Sequence, residues 1–263
     1  MNRLTLLFLT LILFASCTES STEVVTEEKT EPNKAAITDG LPGPQLVTGA
    51  WMFIAAYKAD PDALKELLPE GLTPHPNNHI VINMYTVPDP KQTSGFGAYT
   101  LTYLTVELEG HDSYVMDSDI TYPGRYFVQY YNSSEKMRNF TKNIGIPAES
   151  GFTTTKVEEG KLTAELKVGE NALITATADV GSELGSFGGG HLNYFGKITH
   201  GESSNIVKYP IPWNGGVVST ENVKINFNVS DEHPLAKIKP VSDPSWAIWT
   251  KGSFVYPQYQ VVN

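Results

Sequence analysis

The stretch from Asn132 to Gly151, "NSSEKMRNFTKNIGIPAESG", concentrates the side chains with the most chemical potential, the amines of Lys136 and Lys142 and the guanidinium of Arg138. A neutral lysine amine can attack a ketone and form an imine, which then draws electrons out of a neighbouring carbon–carbon bond. An exposed lysine stays near a pKa of ~10.4 and is more than ~99% protonated at pH 7, so it is inert. Reactivity therefore requires burial or an adjacent cation. The stretch reads as one short helix, on which Met137, Phe140, Thr141 and Ile144 share a face and Lys142 points about 150° from its centre. Lys142 also precedes Gly145, in a last turn where a cation meets the helix dipole and the free carbonyls. Lys136 lies nearer the apolar border, about 90° from its centre. No second lysine adjoins Lys142. The helical phase favours a surface amine, and only a kink would turn it inward.

Carboxylates are the next candidates. Glu107 and Glu109 fall on one face of a strand, and Asp117 and Asp119 on one face of another. Inside a closed barrel such a pair would have raised and split pKa values, suited to proton transfer. Acids at alternate positions are more often the solvated face of an antiparallel sheet, and that is the expectation here. The 6 histidines show no ligand spacing, so no metal site is expected. "GSFGGGH", Gly185 to His191, precedes a strand and lacks a Lys-Ser/Thr tail, which fits a close backbone approach better than a phosphate cradle. No Gly-x-Ser-x-Gly elbow supports a triad hydrolase.

These residues need a frame. Arg3, the apolar run Leu4 to Phe14, and then Ala15-Ser16-Cys17 give a secretory signal over residues 1–16, too short for a membrane span. A cysteine directly after the small residues resembles a bacterial lipoprotein signal, so Cys17 is the expected lipidation site. It is the sole cysteine of the chain, which leaves the mature domain without disulfides, thiol nucleophiles or thiolate metal sites. Residues 17–40 are rich in Thr, Ser and Glu and read as a disordered tether. The expected location is the cell envelope, exported and held to a bacterial membrane by lipid. With a net charge of -10 and no Lys/Arg cluster, nucleic acid is excluded as a partner, and membrane attachment would come from the lipid rather than a basic face.

From about Leu41 to Asn263 the chain reads as a single mostly-β domain. "DPDALKELLPEG" is a helix, with Asp60 as N-cap, Pro61 at the first position, Gly71 as the stop and Leu64, Leu67 and Leu68 buried. "HIVINMYTV", "AYTLTYLTVELEG", "DSYVMDSDI", "GRYFVQYY", "HLNYFGKIT", "SNIVKYPI" and "SWAIWTKGSFVYP" carry the strand signature. "FTTTKVEEGKLTAELKVGENALITATADVG" reads as a meander with turns at Glu159-Gly160 and Gly169-Glu170-Asn171. A short helical turn is expected around Pro234–Ile238. Strands in series with short connections predict an antiparallel β barrel or cone with surrounding strands and two or three short helices.

In order, Gly43-Pro44, "YKADPDALKELLPEGL", "TSGFGAYT", Gly124-Arg125, "NIGIP", "EEGKL", "ATADVG" and "NYFGK" resemble the acetoacetate decarboxylase family over nearly the whole domain. The resemblance implies a mostly antiparallel barrel or cone, a pocket inside it, a tendency to form homo-oligomers, and an imine-forming lysine that needs no cofactor. Anchored on Gly145-Ile146-Pro147, the family's reactive lysine falls on Lys142 and its lysine neighbour on Asn143. Anchored on Gly124-Arg125, the reactive position falls on Asn132. The family's pocket carboxylates fall on Leu101 and near Asn83 or Met84, its early arginine on Ala50, and the Glu after Gly-Arg on Tyr126. The expected pocket is accordingly more apolar than a decarboxylase's, lined by Tyr85, Tyr99, Leu101 and Tyr103 with Arg125. Two functions follow: noncovalent binding of a small organic molecule, or lyase chemistry on a small oxo acid through Lys142.

Overall fold

The computed structural model describes residues 43–262, apart from residues 186 and 202 and the side chain of His200. Cys17, the expected signal segment, the tether and the first residues of the expected domain lie outside the described residues. In chain order the elements are β1 (Gln45–Lys58), α1 (Pro61–Leu67), β2 (His79–Val87), β3 (Tyr99–Val115), β4 (Tyr122–Asn132), α2 (Glu135–Asn143) and β5 (Ala148–Ser150). There follow β6 (Phe152–Glu158), β7 (Lys161–Val168), β8 (Asn171–Val180), β9 (Phe187–His200), β10 (Ser203–Val218), β11 (Thr220–Phe227), β12 (Trp246–Tyr256) and β13 (Gln260–Val262). Short 3-10 turns occupy Pro90–Gln92 and Pro234–Ile238.

Seven strands, in the order β10-β12-β1-β2-β3-β4-β9, close on themselves through the β9–β10 pairing. Closure satisfies the backbone groups that an open sheet would leave exposed at its edges. The expected mostly-β barrel is present and is mixed rather than purely antiparallel: Arg125 and Tyr126 of β4 run parallel to Tyr194 and Phe195 of β9. Parallel neighbours need a long crossover. Here the crossover is α2, β5 and the meander β6-β7-β8, which joins β11 in a second, four-stranded sheet ordered β11-β8-β7-β6.

A strict side-chain alternation separates two cores. On β2, Ile80, Ile82 and Met84 face outward and pack with Phe53 and Ala55 of β1 and Leu104 and Val106 of β3. The second sheet covers them with Leu162, Ala164 and Leu166 from β7 and Ile174, Ala176 and Ala178 from β8. The other face of the same strands points into the barrel, where Tyr85, Leu101, Tyr103, Phe127 and Tyr130 meet Tyr194, Tyr209 and Tyr256.

Helix α1 starts as the sequence predicts, with the Asp60 carboxylate accepting from the amides of Asp62 and Ala63. It stops at Leu67 rather than Gly71 because Pro69 disfavours helical geometry at Leu68, which adopts ψ 139°. "DSYVMDSDI" is not one strand. β3 ends at Val115, the Met116 amide donates to Gly189, and Asp117 turns the chain at φ +55°. Helix α2 buries Met137, Phe140 and Thr141 against the barrel's closed end. It is stopped by Gly145 at φ +86°, where a side chain would strike the backbone of Lys197 on β9.

Candidate functional site

The barrel interior holds a cavity of about 490 Å³, within the usual size range of small-molecule sites. Its walls are apolar and aromatic: Met52 and Ile54 come from β1, Phe127 from β4, Leu192 from β9, Ile211 from β10, and Trp246, Ile248 and Phe254 from β12. Phe127 stacks on Tyr194 at 5.0 Å between ring centroids, and Tyr103 lies parallel to Tyr130 at 6.1 Å.

Polar atoms enter this wall at few points. The Asn83 amide nitrogen donates to the Tyr103 hydroxyl (2.7 Å), which lies 3.0 Å from the Tyr194 hydroxyl. The Arg125 guanidinium donates to Tyr194 in turn (3.4 Å). A second phenol chain joins Tyr99 to Tyr85 (3.2 Å) and Tyr85 to Tyr256 (3.0 Å) at the barrel's closed end. Burial raises the pKa of Tyr85, Tyr103, Tyr130 and Tyr256 well above the phenol value, so these hydroxyls stay protonated.

Arg125 is the unusual member. It is only 5% exposed, and among the described residues no carboxylate pairs with it within ion-pair distance. Burial opposes its charge, but Tyr194, the more distant Glu107 and Tyr103 outweigh that and hold its pKa above the ordinary guanidinium value. Glu107 is its cross-strand neighbour and is itself buried, 3.0 Å from His79 Nδ1. Burial pushes the Glu107 carboxyl up, yet the His79 hydrogen bond and the Arg125 charge pull it net below the usual value. Of the four acids, Glu109 at the outer part of β3 and Asp117 and Asp119 in the turn after it are exposed, and Glu107 is not. Its partner His79 sits far away in sequence, on β2.

Several polar atoms of the wall lack a hydrogen-bond partner among the described residues or leave one unused. Arg125 Nε and Trp213 Nε1 are donors, and Asn83 Oδ1 is an acceptor. The Tyr103–Tyr194 pair adds another: two hydroxyl hydrogens share one mutual bond, so one hydrogen is left over.

Of the sequence-predicted site residues, Tyr85, Tyr103 and Arg125 line the cavity. Tyr99 and Leu101 share the inward face of β3 but do not reach it. They are packed at the closed end with Phe96 and Phe140, and Leu101 is wholly buried opposite Asn132. Lys142 is exposed on the far side of α2 from Met137 and Phe140. Asn132, the alternative reactive position, is buried beside Tyr130 and carries an amide instead of an amine. Neither position brings a lysine to the cavity, and among the described residues no lysine lines it. Among the described residues no cluster of His, Cys, Asp and Glu could hold a metal ion. Sequence reading missed the walls from β9, β10 and β12. The only signal was their aromatic content, because which strands close a barrel is not written in their local pattern.

The family model for acetoacetate decarboxylase matches residues 30–251. The chain belongs to the acetoacetate decarboxylase family. Solved acetoacetate decarboxylases share its fold. The enzyme of Legionella pneumophila superposes with a TM-score of 0.69 at 16% identity over 94% of this chain and 98% of its own. Another acetoacetate decarboxylase gives 0.66 at 16% identity over 84% and 90%. The enduracididine biosynthesis enzyme MppR, solved in complex with pyruvate, gives 0.60 at 12% identity over 85% and 91%. No curated protein sequence matches the chain. At these identities the superpositions establish a shared fold.

Proposed function

We propose that this family member holds a small organic molecule in its barrel cavity without forming a covalent bond to it. The observation that carries this reading is the placement of amines: among the described residues no lysine lines the cavity, and Lys142 stands in solvent. An imine needs a neutral amine within reach of the carbonyl, and an exposed lysine provides neither the proximity nor the lowered pKa. The apolar wall with a few polar points has the make-up of a binding site. The signal-like run Leu4–Phe14 and Cys17 support delivery of the domain to the cell envelope on a lipid anchor, and the mass of the purified mature N-terminus tests that.

The opposing reading, a lyase that uses Lys142 on a small oxo acid, draws on family membership and on the pyruvate bound to MppR. Borohydride reduction in the presence of acetoacetate or pyruvate separates the two. Noncovalent binding predicts no mass adduct. An adduct on the wild-type chain that disappears in Lys142→Ala would overturn it.

A further inference from the structure

We infer that the cavity's ligand is an amphipathic carboxylate, a single acid group on an extended alkyl or aryl body. This rests on the reading of the cavity as a noncovalent binding site and names its ligand class.

The head group follows from the unmatched polar atoms. Arg125 Nε and the spare hydroxyl hydrogen of the Tyr103–Tyr194 pair are donors in a largely apolar wall, and Arg125 contacts Tyr194 of that pair. Trp213 Nε1 is a further unmatched donor of the same cavity. A buried donor without an acceptor is costly, and a buried cation without a contacting anion more so. Glu107 offsets the Arg125 charge only from a distance, because its carboxylate is turned to His79 at 3.0 Å. A ligand carboxylate brings a contacting negative charge and several acceptor lone pairs. Asn83 Oδ1 is the lone unmatched acceptor, so a ligand hydroxyl or amide N–H near the acid group would complete the set.

The body follows from the rest of the wall and from its mouth. Met52, Ile54, Leu192, Ile211 and Ile248 offer no polar atoms, so a two- or three-carbon acid would leave most of this surface uncovered. Tyr122 and Val217 line the cavity and are 42% and 38% exposed. These two side chains put apolar surface where the cavity meets solvent, and an alkyl or aryl body can leave the barrel across them.

Titration of the purified full-length chain with decanoate, decanol and pyruvate, read by the fluorescence of Trp213 and Trp246, tests the assignment. Decanoate should bind at least about tenfold more tightly than decanol, as a charge-assisted contact requires, and more tightly than pyruvate. Arg125→Gln should weaken decanoate binding and bring the acid-to-alcohol affinity ratio from about ten toward one. The wild-type acid-to-alcohol ratio stands if that variant does not fold. Equal affinities for decanoate and decanol would overturn the carboxylate head and leave noncovalent binding intact. Tighter binding of pyruvate would overturn the apolar body. No binding by any of the three would overturn the ligand class together with the binding reading beneath it.

Discussion

The two faces of the barrel wall are packed by opposite rules. Outside, between β1–β3 and the second sheet, Leu, Ile, Val and Ala fill the space, with few polar atoms to satisfy. Inside, phenols take the place of aliphatic side chains, and the packing leaves about 490 Å³ open. Both faces come from the same strands: Ile80, Ile82 and Met84 belong to the first, while Asn83 and Tyr85 belong to the second. A strand's period of two therefore divides the labour, with the aliphatic face supplying cohesion and the phenolic face supplying recognition. Such a division lets the inner face change its chemistry without loosening the outer one.

Alkaline pH should break the inner face first, and by the largest amount. The phenols of Tyr85, Tyr103, Tyr130 and Tyr256 titrate above 10.0 when folded and near 10.0 when unfolded. Their folded pKa values are raised, so this stability is complete below pH 10 and is lost as pH climbs past it. Each phenol contributes a slope of about 1.4 kcal/mol per pH unit. Denaturant melts between pH 9 and 11 should show a steep fall that becomes shallower in Tyr103→Phe. Leu166→Ala tests the outer face. It is wholly buried between the sheets, and its truncation should cost about 2–5 kcal/mol in urea unfolding while the affinity of the folded chain for its ligand stays constant.

Smaller effects sharpen the contrast. Glu107 has a folded pKa below 4.5, so its contribution is present above about that pH and is lost as pH falls through the folded value. Glu107→Gln should cost about 1–3 kcal/mol at neutral pH and flatten the acid limb of the stability profile. The smallest effect is expected at Lys142→Ala, whose exposed side chain belongs to neither face: stability within about 0.5 kcal/mol of wild type by urea melts, and unaltered ligand uptake.

Much of this was legible in the sequence, for identifiable reasons. The Asp60 cap, the phase of α2 and the meander turns are local, and local chemistry fixes them. The exposure of Lys142 followed from its angle to Met137 and Phe140. The inward face of Tyr85 and Tyr103 followed from alternation, which does not say how deep a residue sits, and so Tyr99 and Leu101 were placed one layer too shallow. The parallel β4–β9 contact, the Glu107–His79 pair and the walls from β9, β10 and β12 depend on which distant strands meet. No local pattern encodes that.

The parallel β4–β9 seam also bears on the order of assembly. Arg125 and Tyr194 lie 69 residues apart, and the intervening chain forms its own hairpins from near neighbours. Contacts between near neighbours close quickly, and those across long separations wait for them. The charged corner of the cavity should therefore be among the last parts of the molecule to form. Stopped-flow refolding followed by far-ultraviolet dichroism and by ligand capture should show strands appearing before binding. Simultaneous appearance of both would mean that the seam nucleates folding instead of completing it.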